Sequence, residues 1–311
     1  MTTKRISNYK PNASVIERIS GHYELTEFIA LVNEARDYLG STNLFGTSYK
    51  IDLSNELDTS DPYLTNVMYM PPSDSSGLKN FCPFATDGCR AVCLGVGSGR
   101  MNHGYKNLAA RTFNWNKDNT SKAQLKRAEL FVNNQSSFIA LMIVEIDKHT
   151  NKAAAKGLKA ATRPNGSTDI LFEHVAPQLF VMFKEIQFYD YTKAPLNTRI
   201  NKPANYHLTF SFAETLKNQT EAAKYVAAGF NAAVVFKAEK HNLPATFKDM
   251  PVIDGDIHDM RFKDPAGHYI GLAAKGAAKH DTSGFVQDPE QTAKIKIKYA
   301  AVEIPELSIA K

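Results

Sequence analysis

Short apolar or alternating runs, bounded by polar turns, predict a series of strands along the chain. Six runs have the length and the β-branched or aromatic content of strands: Asn66–Met70, Leu158–Thr162, Ile186–Asp190, Tyr206–Ser211, Ala232–Phe236 and Tyr269–Ala273. Val252–Ile253 is a shorter run of the same kind, and Ile295–Ile304 is a candidate edge strand or docking tail.

Between the strands, apolar residues recur at helical spacing. The clearest helix is predicted at Leu25–Tyr38, and a longer one at Ser136–Lys156 is apolar over its first half. Tyr105–Asn116 is predicted as a helix, and another begins at Ser121, where Gln124 completes a capping box. Two more helices are marked by local signals: Ile170–Lys184, capped by Thr168 or Asp169 and shaped or broken by Pro177, and Thr220–Ala228, closed by Gly229.

Strands that alternate with helices favour an α/β fold with a mostly parallel sheet. Polar side chains follow nearly every predicted strand, at the carboxyl edge where ligands bind both in open sheets and in barrels. We therefore expect these side chains to line one pocket: Arg163, Asn165, Asp169, Asp190, Lys193, Ser211, Glu214, Lys237, Asp254, Asp256 and Lys275.

Composition and charge exclude only a few classes of protein. The chain has 43% hydrophobic and 22% charged residues, which is typical of a globular protein. Its net charge of +5 permits a nucleic-acid or phosphate-bearing partner without requiring one. No apolar run approaches the ~18 residues of a membrane span, and the first residues carry no apolar signal region. We therefore expect a cytoplasmic protein without membrane contact, in which thiols stay reduced.

The three cysteines carry the most specific signal. Cys82, Cys89 and Cys93 lie within twelve residues, separated by six and then three residues, and the chain has no other cysteine. A disulfide framework would favour an even number at wider spacing. Three thiolates from one short loop are instead a ligand set for a soft, thiophilic metal centre.

Three interpretations of this loop stay open. A [4Fe–4S] cluster normally takes four cysteines, so three would leave one iron open to a small molecule; this is the interpretation that we favour. A zinc ion would need a fourth ligand, such as His103, ten residues beyond Cys93, or an outside group. Buried reduced thiols are the third, although the polar Thr86–Gly88 insert and the glycine-rich Gly95–Arg100 segment do not resemble a packed core.

Other candidates come with equally ordinary alternatives. Asp190, Tyr191 and Lys193 could contact a substrate, with Lys193 meeting an anionic group, or could simply end a strand at the surface. Asp254, Asp256 and Asp259 could hold a hard cation through oxygen ligands, but an exposed acidic turn is more common. Aromatic and basic residues within 105–127 could stack on a nucleic acid, although packing is the commoner explanation.

Several of these motifs resemble a phage family known as gene product 88. The similarity covers about residues 66–280 and rests on long motifs: Cys82–Leu94, Arg163–Asp169, Phe188–Lys193, Asn205–Ser211, Asp254–Asp256 with Asp259 and Arg261, and Gly271–Gly276. It implies a phage origin, but little about function.

A more distant resemblance is to radical SAM enzymes, in which a strand leads into a three-cysteine loop, a helix follows, and a partial α/β barrel carries substrate residues on its strand ends. It implies that the amino and carboxylate groups of S-adenosylmethionine (SAM) bind the fourth iron. Arg163, Asn165, Asp169 and Ser211 are then the cofactor-binding candidates. The chain departs from that pattern, since its cysteine spacing is wider than the usual three and two residues, and it lacks the usual Gly-Gly-Glu on the second strand.

Together these observations predict an N-terminal extension at residues 1–65, a partial, open TIM-like barrel at 66–280, and a C-terminal tail at 281–311 that packs on it. The expected function is that of a phage-encoded, radical SAM-like iron–sulfur enzyme in the host cytoplasm, acting on a small molecule or a nucleotide. The alternative is a zinc- or cluster-stabilised module that binds nucleic acid or a host protein without catalysis. Substrate and catalytic candidates are Asp190, Tyr191, Lys193, Glu214, Asp254, Asp256 and Lys275.

Overall fold

A nine-stranded sheet organises the computed structural model, which describes residues 8–47 and 61–289. Its strands in chain order are β1 (Phe45–Gly46), β2 (Tyr63–Met68), β3 (Lys159–Arg163), β4 (Gln187–Thr192), β5 (Tyr206–Ser211), β6 (Asn231–Phe236), β7 (Thr246–Phe247), β8 (Met250–Asp254) and β9 (Tyr269–Ala273). The predicted segment Ile295–Ile304 lies outside the described residues.

The strand order shows how the chain winds. The sheet runs β1-β2-β3-β4-β5-β6-β9-β8-β7, and only the short end strands β1 and β7 are antiparallel to their neighbours. The five strands β2 to β6 therefore follow one another across the sheet, with helical segments as crossovers. The predicted α/β fold with a mostly parallel, unclosed sheet is confirmed.

Side chains alternate between the two faces of this sheet. Met68, Phe188 and Leu208 pack in one hydrophobic core with the helices Leu25–Leu39 and Gln135–Ala155. Phe210, Val234 and Tyr269 pack with the helix Leu216–Ala227 in a second core. The other face, which carries Arg163, Tyr191 and Ser211, lines a pocket.

The predicted helices differ from the observed ones where tertiary contacts act. The helix that begins at Tyr105 ends at Ala109, because Arg111 adopts φ +52° and Trp115 donates its indole N–H to the Ser75 carbonyl at 2.8 Å. The helix Asn119–Asn133 is capped by Asp118, not by the predicted Ser121. The predicted Ile170–Lys184 helix is broken at Pro177 into Phe172–Val175 and Pro177–Met182, and neither Thr168 nor Asp169 caps it.

The remaining helical segments are short and lie between strands or beyond the first and last of them. They are Ala13–Ile19, Asp87–Ala91, Leu94–Gly97, Leu196–Arg199, and the 3₁₀ turns Gly99–Met101, Arg261–Lys263 and Gly276–His280. Within residues 8–47 and 61–289, no helix is long and apolar enough to cross a membrane.

Candidate functional site

One pocket of about 480 Å³ lies at the carboxyl edge of the parallel strands and contains all three cysteines. Cys82, Cys89 and Cys93 lie on its loop side, and the ends of β3, β4, β5, β6 and β9 form the other. Its volume falls within the roughly 300–1,000 Å³ of small-molecule sites. Seven of the polar residues predicted at or near strand ends also line it: Arg163, Asn165, Asp169, Tyr191, Lys193, Ser211 and Lys275.

Cys82 is held by contacts from two loops. Its sulfur accepts a hydrogen bond from the backbone N–H of Ser73 at 3.2 Å. Its own N–H donates to Asn80 Oδ1 at 2.9 Å, and the carbonyl of the preceding Phe81 accepts from the Asp169 N–H at 2.9 Å. Ser73 is buried and has φ +52°, an unfavourable conformation for a serine, so the backbone is strained where it meets the sulfur.

Cys89 and Cys93 lie on consecutive short turns. Cys89 is inside Asp87–Ala91, where its N–H donates to the capping Thr86 hydroxyl at 3.2 Å. Glu214, after β5, accepts from Thr86 Oγ1 at 2.8 Å and from the Gly88 N–H at 2.9 Å. A β-carbon at Gly88 would lie 2.6 Å from the Glu214 carboxylate. Glu214 therefore fixes the cysteine loop to the sheet and does not line the pocket.

Burial and mutual proximity affect the thiols. Burial, with the neighbouring Cys89, raises the pKa of Cys93 to about 12, although the Gly95 N–H and Lys193 oppose the rise. Burial and then Cys93 raise the pKa of the Cys82 thiol further. All three cysteines line this one pocket. Deprotonating Cys82 and Cys93 inside it is unfavourable unless a cationic centre compensates the charge.

Arg163 is the main cation on the β3 side. Its guanidinium pairs with Asp259 at 3.1 Å and lies over the Tyr191 ring, 4.9 Å from the centroid. Asp259 lines the pocket too. It was considered from sequence only as a ligand for a hard cation, and the structure gives it a cationic side-chain partner instead.

Two lysines occupy the far wall in different ways. The Lys193 ammonium donates a hydrogen bond to Ser211 Oγ, and the Lys193 backbone N–H donates to Asp169 Oδ2 at 2.8 Å. Lys275 pairs with Asp256, whose carboxylate is buried and also accepts from the Ala273 N–H at 2.8 Å. Asp256 therefore orients Lys275 from behind the pocket. Lys237 lies outside the lining, and its side chain is 72% exposed.

Asp190 does not line the pocket, although the sequence made it a substrate candidate. It faces the opposite side of the sheet from Tyr191, because consecutive strand residues alternate. Its carboxylate accepts from the Asn165 N–H at 2.8 Å, from Asn165 Nδ2 at 2.9 Å and from Tyr206 Oη at 2.6 Å. Asp190 therefore shapes the loop that carries Asn165 into the pocket.

The acidic residues after β8 do not form a cation site. Asp254 pairs with His241 at 2.6 Å, while Asp256 and Asp259 pair with Lys275 and Arg163. Asp254 does not line the pocket. In the part of the chain that the structure describes, no group of three or more His, Cys, Asp or Glu side chains could hold a metal ion, and this includes the three cysteines. The hard-cation alternative is thus not supported.

His103, the predicted fourth zinc ligand, is placed elsewhere. Its ring packs against Trp115, with 4.7 Å between centroids, and against Phe113 at 5.6 Å. It does not line the cysteine pocket. The same contacts account for the aromatic residues of 105–127 as packing.

The apolar part of the pocket was missed from sequence. Ala233, Val235 and Leu272 form a flat floor on β6 and β9, and Phe285 lies opposite Lys193. The small residues of Ala232–Phe236 were a signal for space on that strand. Phe285 had none, because it lies in a segment that the sequence predicted to be a polar tail.

Comparison with known proteins gives a family but no characterised relative. Residues 40–289 match the model of a protein family described as "Gene product 88". No curated protein and no solved structure matches the chain.

Proposed function

This chain belongs to the gene product 88 family, whose match spans the cysteine loop and the whole sheet, and we propose that it is an iron–sulfur protein with an enzyme's substrate pocket. The observation that carries the proposal is the meeting of Cys82, Cys89 and Cys93 with the strand-end cations in one cavity. Neither the cysteine loop nor the strand ends alone would distinguish a structural metal from a reactive one.

The types of donor, not their present arrangement, support a [4Fe–4S] cluster. Three thiols are soft ligands, and two of them already accept backbone hydrogen bonds, from Ser73 to Cys82 and from Gly95 to Cys93. Such N–H···S bonds stabilise and tune iron–sulfur centres. The cysteines would each bind one iron.

A single zinc ion fits less well. Zinc at about 2.3 Å from each sulfur requires closely converging thiols and usually a fourth protein ligand. His103 is packed away from the pocket, and the pocket carboxylates of Asp169 and Asp259 pair with Arg199 at 3.5 Å and Arg163 at 3.1 Å. A polynuclear cluster spreads its irons over more space and tolerates a missing fourth cysteine, which leaves a position that faces the pocket.

The finer proposal is that SAM takes this position and that the sheet is a partial TIM-like barrel. Its support is the order of elements, since β2 leads into the cysteine loop and the strand ends converge above it. A reduced cluster would supply the electron that cleaves the sulfonium of SAM. In this proposal Arg163 would contact the cofactor, and Asn165 and Asp169 would shape the loop around it.

Metal analysis tests the cluster. Protein purified without oxygen should contain about four iron and four sulfide per chain and show broad visible absorption. Cys89→Ser should lose most of the iron, whereas Ser98→Ala, which removes a hydroxyl from the same pocket, should retain it. Colourless protein with one zinc per chain would overturn the proposal and favour the non-catalytic binding module.

The SAM assignment has its own test. With SAM and a strong reductant, the cluster-loaded protein should release 5′-deoxyadenosine, and Cys89→Ser should not. Intact cluster without this product would remove SAM from the proposal and leave the iron–sulfur assignment standing.

A further inference from the structure

Lys193 differs from the other pocket cations in having no ion-paired carboxylate among the residues that the structure describes. Arg163 pairs with Asp259 and Lys275 with Asp256. Among residues 8–47 and 61–289, no carboxylate oxygen lies within ion-pair distance of Lys193 Nζ, whose hydrogen-bond acceptor is the neutral Ser211 hydroxyl. A half-buried ammonium normally has a charged partner, so its position favours an anion from outside the chain.

A backbone hydrogen bond fixes the position of Lys193 at the end of β4. The Lys193 N–H donates to Asp169 Oδ2 at 2.8 Å, and Asp169 is itself paired with the buried Arg199 at 3.5 Å. Asp169 thus fixes the strand end, and its ion-pair partner is Arg199. The ammonium also lies 5.2 Å from the centroid of the Phe285 ring, which limits where its side chain can lie.

An apolar surface lies beside the cation. Ala233, Val235 and Leu272 project aliphatic groups from the neighbouring strands β6 and β9, and Phe285 lies in a hydrophobic cluster against which Val235 packs. This apolar surface beside the ammonium is suited to a planar, weakly polar group. A ligand that filled both parts would carry an anionic group at one end and a ring at the other.

We propose that Lys193 and Ser211 bind the anionic group of a small molecule whose aromatic or heteroaromatic ring lies against Val235, Leu272 and Phe285. The inference deepens the proposed function, on which it rests for any reaction that follows, by naming the substrate class of the same pocket. A charge-assisted hydrogen bond from the ammonium would hold the anion, and the ring would displace water from the floor.

A fluorescent probe with this chemistry tests the proposal on the full chain. Titration with 1-anilinonaphthalene-8-sulfonate, an anion on a flat ring system, should show saturable binding to the wild type. Lys193→Met should weaken the binding by about 10- to 100-fold, as expected for the loss of a hydrogen bond to a charged group. Lys193→Arg should restore most of it. Lys237→Met, directly after β6 but outside the pocket, should bind as the wild type does.

Competitors separate the two parts of the ligand. Naphthalene-2-carboxylate should displace the probe at lower concentration than 2-naphthalenemethanol, which lacks the charge, or inorganic phosphate, which lacks the ring. Equal displacement by the neutral alcohol, or equal probe affinity in a folded Lys193→Met variant, would overturn the inference. If Lys193→Met does not fold, Ser211→Ala and the competitor series on the wild type decide in the same way.

The same titration distinguishes this inference from the cluster. It is run on protein with and without iron, and iron content is measured independently. Selective binding by protein that never contains iron would refute the cluster and support the anion site. Protein that contains the cluster but shows no preference for the charged competitor would support the cluster and refute the anion site.

Discussion

Asp190 is a carboxyl group that receives three hydrogen bonds and yet is wholly shielded from water. Burial raises its pKa to about 7, and the hydrogen bond from Tyr206, the charge of Arg163 and the bonds from Asn165 only partly oppose the rise. The native state therefore keeps a proton between about pH 4 and 7 that the unfolded chain loses. The stabilisation from this proton is fully present below about pH 4 and is lost as the pH rises through 7.

Asp190→Asn should flatten this dependence. The amide cannot ionise, so the free energy of unfolding of the variant should lose its decline between pH 5 and 8, which we expect to be about 3 kcal/mol in the wild type. Urea denaturation at several pH values measures it. Glu17→Gln, at an exposed helix position, should keep the wild-type profile. A variant with an unchanged slope would show that Asp190 is ionised throughout.

At the scale of elements, the segment before β9 packs on the face of the sheet that carries Tyr189. In the 3₁₀ turn Arg261–Lys263, Arg261 is fully buried and pairs with Asp264 at 3.1 Å, and Phe262 packs edge-on against Tyr63 and Tyr189. Its contacts reach β4 and β5, so this turn holds the two strands that carry Tyr191 and Ser211.

Asp264→Asn should destabilise the protein strongly. The change leaves the buried guanidinium of Arg261 without its carboxylate, and breaking a buried ion pair costs about 3–5 kcal/mol. Chemical denaturation measures the loss. The exposed Glu239→Gln should stay within about 0.5 kcal/mol of the wild type. A loss below 1 kcal/mol would mean that other groups around Arg261 balance its charge.

Sequence patterns predicted correctly those elements whose structure is determined by their local sequence. Tyr206–Ser211 and Tyr269–Ala273 were predicted with their observed bounds, because the first alternates between apolar and polar residues, the second is continuously apolar, and turn residues flank both. The helix from Tyr105 was predicted too long, since the bond from Trp115 to Ser75 is a contact between distant segments.

The site residues divide in the same way, into those that local patterns predict and those that depend on contacts between distant segments. Strand ends predicted that Arg163, Lys193 and Lys275 would share an edge, since parallel strands place their carboxyl ends together. The sequence did not show which face of the sheet each side chain of β4 would occupy. Asp190 and Tyr191 were therefore equal candidates for the pocket. Phe285 reaches the pocket through a bridge between Gln287 and Phe236, which no local pattern indicates.

At the scale of the whole molecule, the N-terminal segment belongs to the main core. Val15, Phe28 and Val32 are buried with residues of the helix Gln135–Ala155 and of the sheet. Buried Asp147 in that helix receives hydrogen bonds from Ser14 at 2.5 Å and Arg18 at 2.9 Å, which tie the segment to the body of the protein.

Asp147→Ala should release this segment. Arg18 and Ser14 would lose their buried acceptor, which we expect to lower the free energy of unfolding by about 3 kcal/mol. Limited proteolysis with mass spectrometry should then show faster cleavage within residues 8–24. Lys148→Ala, at the exposed neighbouring position, is the matched control. Equal cleavage rates in both variants would contradict the anchoring role.

The residues of the pocket are also synthesised at different times. The cysteines leave the ribosome early, whereas Lys275 and Phe285 come nearly two hundred residues later. A nascent chain therefore displays its thiols without the far wall that will shelter them. Delivery of any inorganic centre before translation finishes would meet an exposed loop, whereas later delivery would have to pass through the mouth of a completed cavity.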